Sequence, residues 1–188
     1  MPFLAFAFAI ATLRLTAIRA TGPVRLVKVL PALILGLTRV DEPRLAFAYL
    51  FYAAGDALLL SKGRGFLLGL VAFLLGHGLA IAGFLEGGRP APAALAIGAV
   101  LVSGMVVALW PGLNRVMRVA VPLYGAALVA LMWAATARSP LTAVGAGLFI
   151  LSDALLGWNR FRRPLPGGDL PVLATYYVAI GLIAAGRA

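Results

Sequence analysis

The sequence contains no cysteine and a single histidine, His77, among its 188 residues. The absence of cysteine excludes disulfide bonds and thiolate chemistry, and one histidine cannot provide a three-histidine zinc site. Acidic residues are also scarce, because the chain has six of them against 16 lysines and arginines. Only 12% of the residues are charged, whereas 63% are hydrophobic, and the mean hydropathy is +1.03. This composition excludes an ordinary soluble domain.

Long apolar runs fill almost the whole chain, and short charged or Pro/Gly-containing turns separate them. Because a membrane-spanning helix needs about 20 apolar residues, the chain has room for eight. The sequence therefore predicts an all-α, polytopic membrane protein, an eight-transmembrane-helix bundle that forms a single integral membrane domain over residues 1–188. The N-terminal run lacks a basic n-region, so we interpret it as the first span and not as a cleaved signal. The predicted spans are 2–18, 24–38, 44–60, 66–85, 91–109, 117–136, 140–158 and 169–186.

The distribution of basic residues predicts the orientation of these spans, since positively charged loops tend to stay on the cytoplasmic side. Ten basic residues fall in or near the turns after spans 1, 3, 5 and 7: Arg19, Arg25, Lys28, Lys62, Arg64, Arg115, Arg118, Arg160, Arg162 and Arg163. Five fall on the other side: Arg39, Arg44, Arg89, Arg138 and Arg187. We therefore expect both termini outside. Because the net charge of +10 is spread over these turns, we expect membrane lipids and no nucleic acid as partners.

Two acidic residues interrupt apolar runs. Asp56 lies in FYAAGDALLL (51–60), and Asp153 lies in GLFILSDALLG (147–157). A charge in the hydrocarbon costs roughly 2.5–3.5 kcal/mol on insertion scales, so a carboxylate kept there is a candidate for a functional site. The alternative is that each is a helix-packing carboxylate, or a helix-end residue that reaches the interface.

The predicted topology gives the polar residues of several spans one depth, in the cytoplasmic half of the membrane. Both aspartates fall at the ends of spans 3 and 7 that exit on the cytoplasmic side. Near the cytoplasmic starts of spans 2, 6 and 8 are Lys28, Tyr124, Tyr176 and Tyr177, and near the middle of span 4 is His77. A shared depth is what a single site requires, although depth alone does not establish contact.

A weak internal repeat relates the two halves of the chain. GDALLL and SDALLG each precede a basic turn, and VKVLPALILGL in span 2 resembles MRVAVPLYGAALVAL in span 6. Because the orientation is the same four spans later, the pattern predicts two parallel four-helix repeats about an axis along the membrane normal. The alternative is a chance likeness between Leu/Ala-rich spans.

Taken together, these motifs resemble the YhhN family of bacterial membrane proteins, which includes the eukaryotic TMEM86 lysoplasmalogenases. The matching stretches are Lys28-x-x-Pro31, GDALLLSKGRGFLLGLVAFLLGHGLAIAGF (55–84), Tyr124 with Met132, GAGLFILSDALLGWNRF (145–161) and TYYVAIGLI (175–183). Two positions depart from the family's pattern. Val29 follows Lys28 where the family commonly has proline, and Ile180 stands where it commonly has glutamine.

The resemblance implies an eight-span hydrolase of the bacterial inner membrane. It would cleave the vinyl ether bond of lysoplasmalogen, a lysophospholipid, to a fatty aldehyde and a glycerophospho-headgroup. Such hydrolysis begins with proton transfer to the alkene carbon, which requires an acid and a nearby anion and no cofactor. Two carboxyls supply both, as in glycosidases. We expect Asp56 and Asp153 to be this acid/base pair, without assigning either role.

The other polar residues have both a functional and a structural interpretation. Lys28 binds the lipid phosphate, or it snorkels and sets topology. His77 hydrogen-bonds a carboxyl, or it is a packed histidine bonded to a backbone carbonyl. Tyr124, Tyr176 and Tyr177 bind headgroup or water, or they are interfacial aromatics. A second functional class also fits, namely a small transporter or lipid-binding protein with an ion or proton relay.

Overall fold

The computed structural model describes residues 2–17, 27–60 and 64–186. Eight α-helices lie in these ranges: α1 Pro2–Ala17, α2 Leu30–Leu37, α3 Pro43–Leu59, α4 Arg64–Phe84, α5 Ala93–Leu109, α6 Met117–Arg138, α7 Pro140–Phe161 and α8 Leu170–Ala185. Two short 3-10 helices follow α4 and α5, at Leu85–Gly87 and Trp110–Gly112. The predicted all-α class is confirmed, and each helix falls on one of the eight predicted segments.

Four of the described segments are long and apolar enough to cross a membrane: Arg64–Gly87, Ala93–Gly112, Met117–Arg138 and Pro140–Phe161. Shorter apolar helical stretches are Ala5–Arg14 and Leu170–Ala185. The eight residues of α2 rise only about 12 Å, against a hydrocarbon core of about 30 Å. An integral membrane protein is therefore supported, whereas the count of eight spans stays a prediction.

Some of the predicted features lie outside the described residues. They are the start of the second span at residue 24 and four of the basic residues that predict orientation, namely Arg19, Arg25, Lys62 and Arg187. The predicted orientation consequently stays a prediction as well.

Proline lies in the first turn of five helices, α1, α2, α3, α7 and α8. The first-turn N–H groups of a helix have no intrahelical partner, so proline's missing N–H costs nothing there, and its fixed φ favours the helix. At α7 the start is also capped, since Ser139 Oγ accepts a hydrogen bond from Thr142 N at 3.1 Å. Because these signals lie in the local sequence, the starts of α3, α7 and α8 fall within one residue of the predicted ones.

The chain divides into two compact units, residues Met1–Gly83 and Phe84–Ala188. In the first unit α1 packs against α2, and α2 against α3. Gly36 permits the second contact, because a Cβ atom there would lie 3.0 Å from the carbonyl oxygen of Ala46. The boundary between the units falls at the end of α4, which is where the predicted repeat would divide the chain. The repeat itself stays a prediction.

In the second unit, α5 packs against α6, α6 against α7, and α7 most extensively against α8. The α7–α8 contact is close at Gly145, where a Cβ atom would lie 2.9 Å from the carbonyl oxygen of Ala179. Small residues let helix backbones approach in lipid, where association depends on van der Waals packing. Gly36 and Gly145 thus have a packing role.

Candidate active site

Asp56 lies on α3 in the first unit and forms an ion pair with Lys28. Its side chain is 3% exposed, and Nζ of Lys28 lies 3.8 Å from its Oδ1. Lys28 itself is largely enclosed, with a side-chain exposure of 16%. The lysine precedes α2, so the turn that enters α2 brings an ammonium group to the carboxyl of α3. A buried carboxylate is tolerated when a partner of opposite charge accompanies it.

Tyr52 was not among the residues that the sequence singled out, yet it is the partner of His77. Its hydroxyl lies 2.9 Å from His77 Nδ1, and the two residues are 1% and 0% exposed. The Phe73 ring stacks on Tyr52 at a centroid separation of 5.6 Å. Tyr52 precedes Asp56 by four residues, which is the spacing that puts two side chains on one helix face. That spacing, within FYAAGDALLL, was the signal that could have identified it.

The face of α3 that carries Tyr52 and Asp56 packs closely against α4 because of two glycines. A Cβ atom on Gly55 would lie 2.6 Å from the ring of Phe73. A Cβ atom on Gly76 would lie 2.6 Å from the ring of Tyr52. Each glycine is adjacent in sequence to a predicted site residue, Asp56 or His77. The close approach of the two helices therefore encloses these side chains.

Asp153 lies on α7 in the second unit and is bonded to Tyr124 of α6. The Tyr124 hydroxyl donates a hydrogen bond of 2.8 Å to Asp153 Oδ2, and the pair is partly buried. The preceding residue, Ser152, donates through Oγ to the carbonyl oxygen of Val172 at 3.0 Å. One polar contact thus fixes the carboxyl against α6, and the other ties the same turn of α7 to α8.

Tyr176 and Tyr177 lie on α8 and are buried, with exposures of 5% and 7%. The Tyr176 ring meets Phe149 edge-to-face at 5.5 Å and lies 5.4 Å from the ring of Tyr177. Burial in a ring cluster differs from the exposed interfacial position that belt aromatics take. These contacts support a packing role for both rings, and their predicted part in substrate binding stays a prediction.

The structure therefore brings together three polar pairs: Lys28 with Asp56 and Tyr52 with His77 in the first unit, and Tyr124 with Asp153 in the second. His77 bonds to a tyrosine here, a partner that neither interpretation of the sequence named. Among the described residues, no three His, Asp or Glu side chains form a group that could hold a metal ion. The chemistry available at these pairs is proton transfer and charge stabilisation.

The sequence profile of the YhhN family matches residues 4–187. Lysoplasmalogenase TMEM86B of Sus scrofa is 38% identical over 169 residues, which cover 84% of this chain and 72% of the relative. Lysoplasmalogenase TMEM86B of Homo sapiens is 35% identical over 166 residues, with the same two coverages, 84% and 72%. The lysoplasmalogenase of Mycobacterium bovis is 36% identical over 151 residues, covering 74% of this chain and 58% of the relative. No solved structure matches the chain.

Proposed function

Because this chain belongs to the YhhN family, we propose that it is an integral membrane hydrolase of lysoplasmalogen-like ether lysophospholipids. It cleaves their vinyl ether bond and releases a fatty aldehyde and the glycerophospho-headgroup. The relatives support the reaction, since they carry the name lysoplasmalogenase. The observation that carries the chemistry is that each unit holds one carboxyl on an apolar helix, and each carboxyl has a specific polar partner.

Asp56 and Asp153 are the proposed acid/base pair. Protonation of the alkene carbon produces an oxocarbenium ion, which an anion stabilises, and water then adds to give a hemiacetal that collapses to the aldehyde. One carboxyl donates the first proton, and the other, as a carboxylate, stabilises the cation and accepts a proton from the water. The whole sequence of steps uses only carboxyl groups and water.

Aldehyde release tests this proposal. Purified protein in detergent would receive a lysoplasmalogen, a saturated ether lysolipid or a lysoacyl lipid. We expect aldehyde from the vinyl ether substrate alone. Asp56→Asn and Asp153→Asn should each lower the rate by about 10²-fold or more, as the loss of a general acid or base does. Asp41→Asn, which changes an exposed turn residue, is the matched control and should retain the wild-type rate.

Two results would contradict the proposal. Absence of aldehyde with every lipid would exclude the hydrolase function and favour the alternative, a transporter with an ion or proton relay. Activity that survives in both folded Asn variants, with folding checked by size-exclusion chromatography, would leave the hydrolase and remove its acid/base pair.

The proposal includes a location, the bacterial inner membrane, with both termini outside and the site in the cytoplasmic half. Its support is the ten-to-five distribution of basic residues between the two sets of turns. Labelling of single cysteines is straightforward because the chain has none of its own. A cysteine placed at Arg89 should react with a membrane-impermeant thiol reagent added to intact cells, whereas one placed at Arg115 should not.

A further inference from the structure

Two arginines at one end of the second unit lie over tryptophan rings. The guanidinium carbon of Arg118 lies 5.5 Å from the centroid of the Trp110 ring. The guanidinium carbon of Arg162 lies 5.7 Å from the centroid of the Trp158 ring. The first pair joins the end of α5 to the first turn of α6, and the second lies at the end of α7. The same pairing therefore occurs at two separate turns of the chain.

A close backbone contact brings these two turns together. A Cβ atom on Gly112 would clash with the carbonyl oxygen of Phe161, and α5 and α7 also pack against each other. Gly112 lies two residues after Trp110, and Phe161 immediately precedes Arg162. The two tryptophan–arginine pairs therefore flank one contact between the α5–α6 turn and the end of α7.

Both turns are strongly basic and adjoin apolar helices. Residues 110–118 and 158–169 contain five arginines and one acidic residue, all of them exposed: Arg115, Arg118, Arg160, Arg162, Arg163 and Asp169. Two segments long and apolar enough to cross a membrane end here, at Gly112 and Phe161, and a third begins at Met117. Basic clusters beside membrane spans attract anionic headgroups. The positive charge is therefore placed where a phospholipid headgroup would lie.

The tryptophan rings provide more than a place for positive charge. A cation–π contact restricts the guanidinium group, and tryptophan is the aromatic side chain that attracts it most strongly. A ring supplies no oxygen acceptor, so the N–H donors of the guanidinium still need one, and their planar fork fits a phosphate bidentately. A side chain that is already restricted loses less entropy on binding. The two pairs are therefore better prepared to bind a phosphate than arginines that only set topology.

We propose that Arg118 on Trp110 and Arg162 on Trp158 form a binding site for the phosphate of an anionic membrane phospholipid. The neighbouring arginines of the two turns add positive charge to this site. The lipid is bound and not cleaved, so the proposal does not depend on the hydrolase function.

Exposed apolar side chains beside the arginines indicate a lipid as the source of the phosphate. Val116, Val119 and Leu123 are exposed and recur at helical spacing from the start of α6, so they lie along one helix face. Arg118 lies between the two valines in sequence. An acyl chain can cover this face while its headgroup meets the arginines, whereas a free phosphate would cover none of it.

Lipid-dependent thermal stability tests the proposal. The full chain in an uncharged detergent would receive increasing amounts of phosphatidylglycerol, phosphatidylcholine or inorganic phosphate while its melting temperature is measured. A ligand that binds the native state raises this temperature. We expect a saturable rise with phosphatidylglycerol and little change with the other two. Phosphatidylcholine has no net negative charge, and inorganic phosphate has no acyl chain.

Variants locate the site. Arg118→Gln and Arg162→Gln should each raise the half-saturating amount of phosphatidylglycerol about tenfold, as the loss of a charged, bidentate donor does. Trp110→Leu keeps an apolar side chain but loses the cation–π contact, so it should raise this amount about threefold. Arg118→Lys keeps the charge and loses the planar fork, so it should raise the amount as well. Arg89→Gln, which removes an exposed arginine from a different turn, is the matched control and should change nothing.

Several results would overturn the proposal. An equal rise with phosphatidylcholine would show that the site does not select a charged lipid, and an equal rise with inorganic phosphate would show a site for free anions. Wild-type binding by both Arg118→Lys and Trp110→Leu, or equal weakening by Arg89→Gln, would reduce the effect to attraction by overall charge. None of these measurements uses aldehyde release, so failure of the hydrolase function would be seen separately.

Discussion

The hydroxyl of Tyr124 donates a hydrogen bond of 2.8 Å to Oδ2 of Asp153 across the α6–α7 contact. These residues are 29 positions apart in the chain, and the helix packing of the second unit brings them together. On the other side of the same turn, Ser152 bonds to α8 through the carbonyl oxygen of Val172. The carboxyl is therefore held in one orientation by the fold before any substrate is bound.

Tyr124→Phe should lower kcat and leave KM nearly unchanged, because it removes the hydrogen bond that orients Asp153 and keeps the ring. A positioned general acid or base contributes about 10²–10⁴-fold, and a carboxyl that is no longer oriented loses much of this, so a loss of at least about tenfold in kcat is expected. Steady-state aldehyde release checks this, with the melting temperature as the measure of folding. An unchanged kcat would show that the hydroxyl has no part in catalysis.

The buried pair of Tyr52 and His77 should contribute mainly to stability. Tyr52→Phe leaves a buried imidazole nitrogen without the hydroxyl that lies 2.9 Å from it, which should cost about 1–3 kcal/mol. A double-mutant cycle with His77→Phe, followed by thermal unfolding in detergent, measures the coupling between the two side chains. We expect a coupling energy of about 0.5–3 kcal/mol. Strict additivity of the two single changes would contradict the contact.

Two glycines of α4 should respond in opposite ways to the same substitution. Gly76→Ala puts a Cβ atom 2.6 Å from the Tyr52 ring and 3.0 Å from the carbonyl oxygen of Ala48. Overpacking of this kind typically costs about 1–3 kcal/mol. Gly78→Ala meets nothing within 4 Å and should be neutral or stabilise the helix by up to about 1 kcal/mol. Melting temperatures in one detergent compare the pair, and equal effects would show that α3 and α4 are not closely packed at Gly76.

Asn159 should stabilise the turn that follows α7 through its side-chain hydrogen bonds. Its Oδ1 accepts from Leu165 N at 2.7 Å, and its Nδ2 donates to the carbonyl oxygen of Gly168 at 2.8 Å. Gly168 has a φ of +61°, a left-handed conformation that glycine adopts readily. Asn159→Ala removes these hydrogen bonds and a third, from Nδ2 to Asp169 Oδ1 at 3.3 Å, so trypsin should cleave after Arg162 faster than in the wild type.

Asn159→Asp keeps an acceptor for Leu165 N, but it sets a carboxylate oxygen against the carbonyl oxygen of Gly168 and Oδ1 of Asp169. Its cleavage rate should therefore also exceed that of the wild type. Cleavage after Arg115, in a different turn, serves as the internal control and should not change. If the turn after α7 is cut at the wild-type rate in Asn159→Ala, the side chain does not hold it.

The sequence by itself determined where the helices lie and which carboxyls are candidates. Helix positions follow from apolar runs and from prolines at five helix starts, and both signals are local in the chain. Asp56 and Asp153 were identifiable because a charge inside an apolar run is costly wherever the helix packs. His77 and Lys28 stood out for the same reason, as isolated polar residues in apolar surroundings.

Only the tertiary structure decided which groups meet. Lys28 forms an ion pair with Asp56, and hydrogen bonds join Tyr124 to Asp153 and Tyr52 to His77. Each pair joins residues from different parts of the chain. Such pairs depend on the rotation and separation of neighbouring helices. Close contacts, such as that of Gly76 with the Tyr52 ring, determine this separation to within about an ångström. Hydropathy and residue spacing report the face of one helix at a time, so they cannot specify the partner that another helix presents to it.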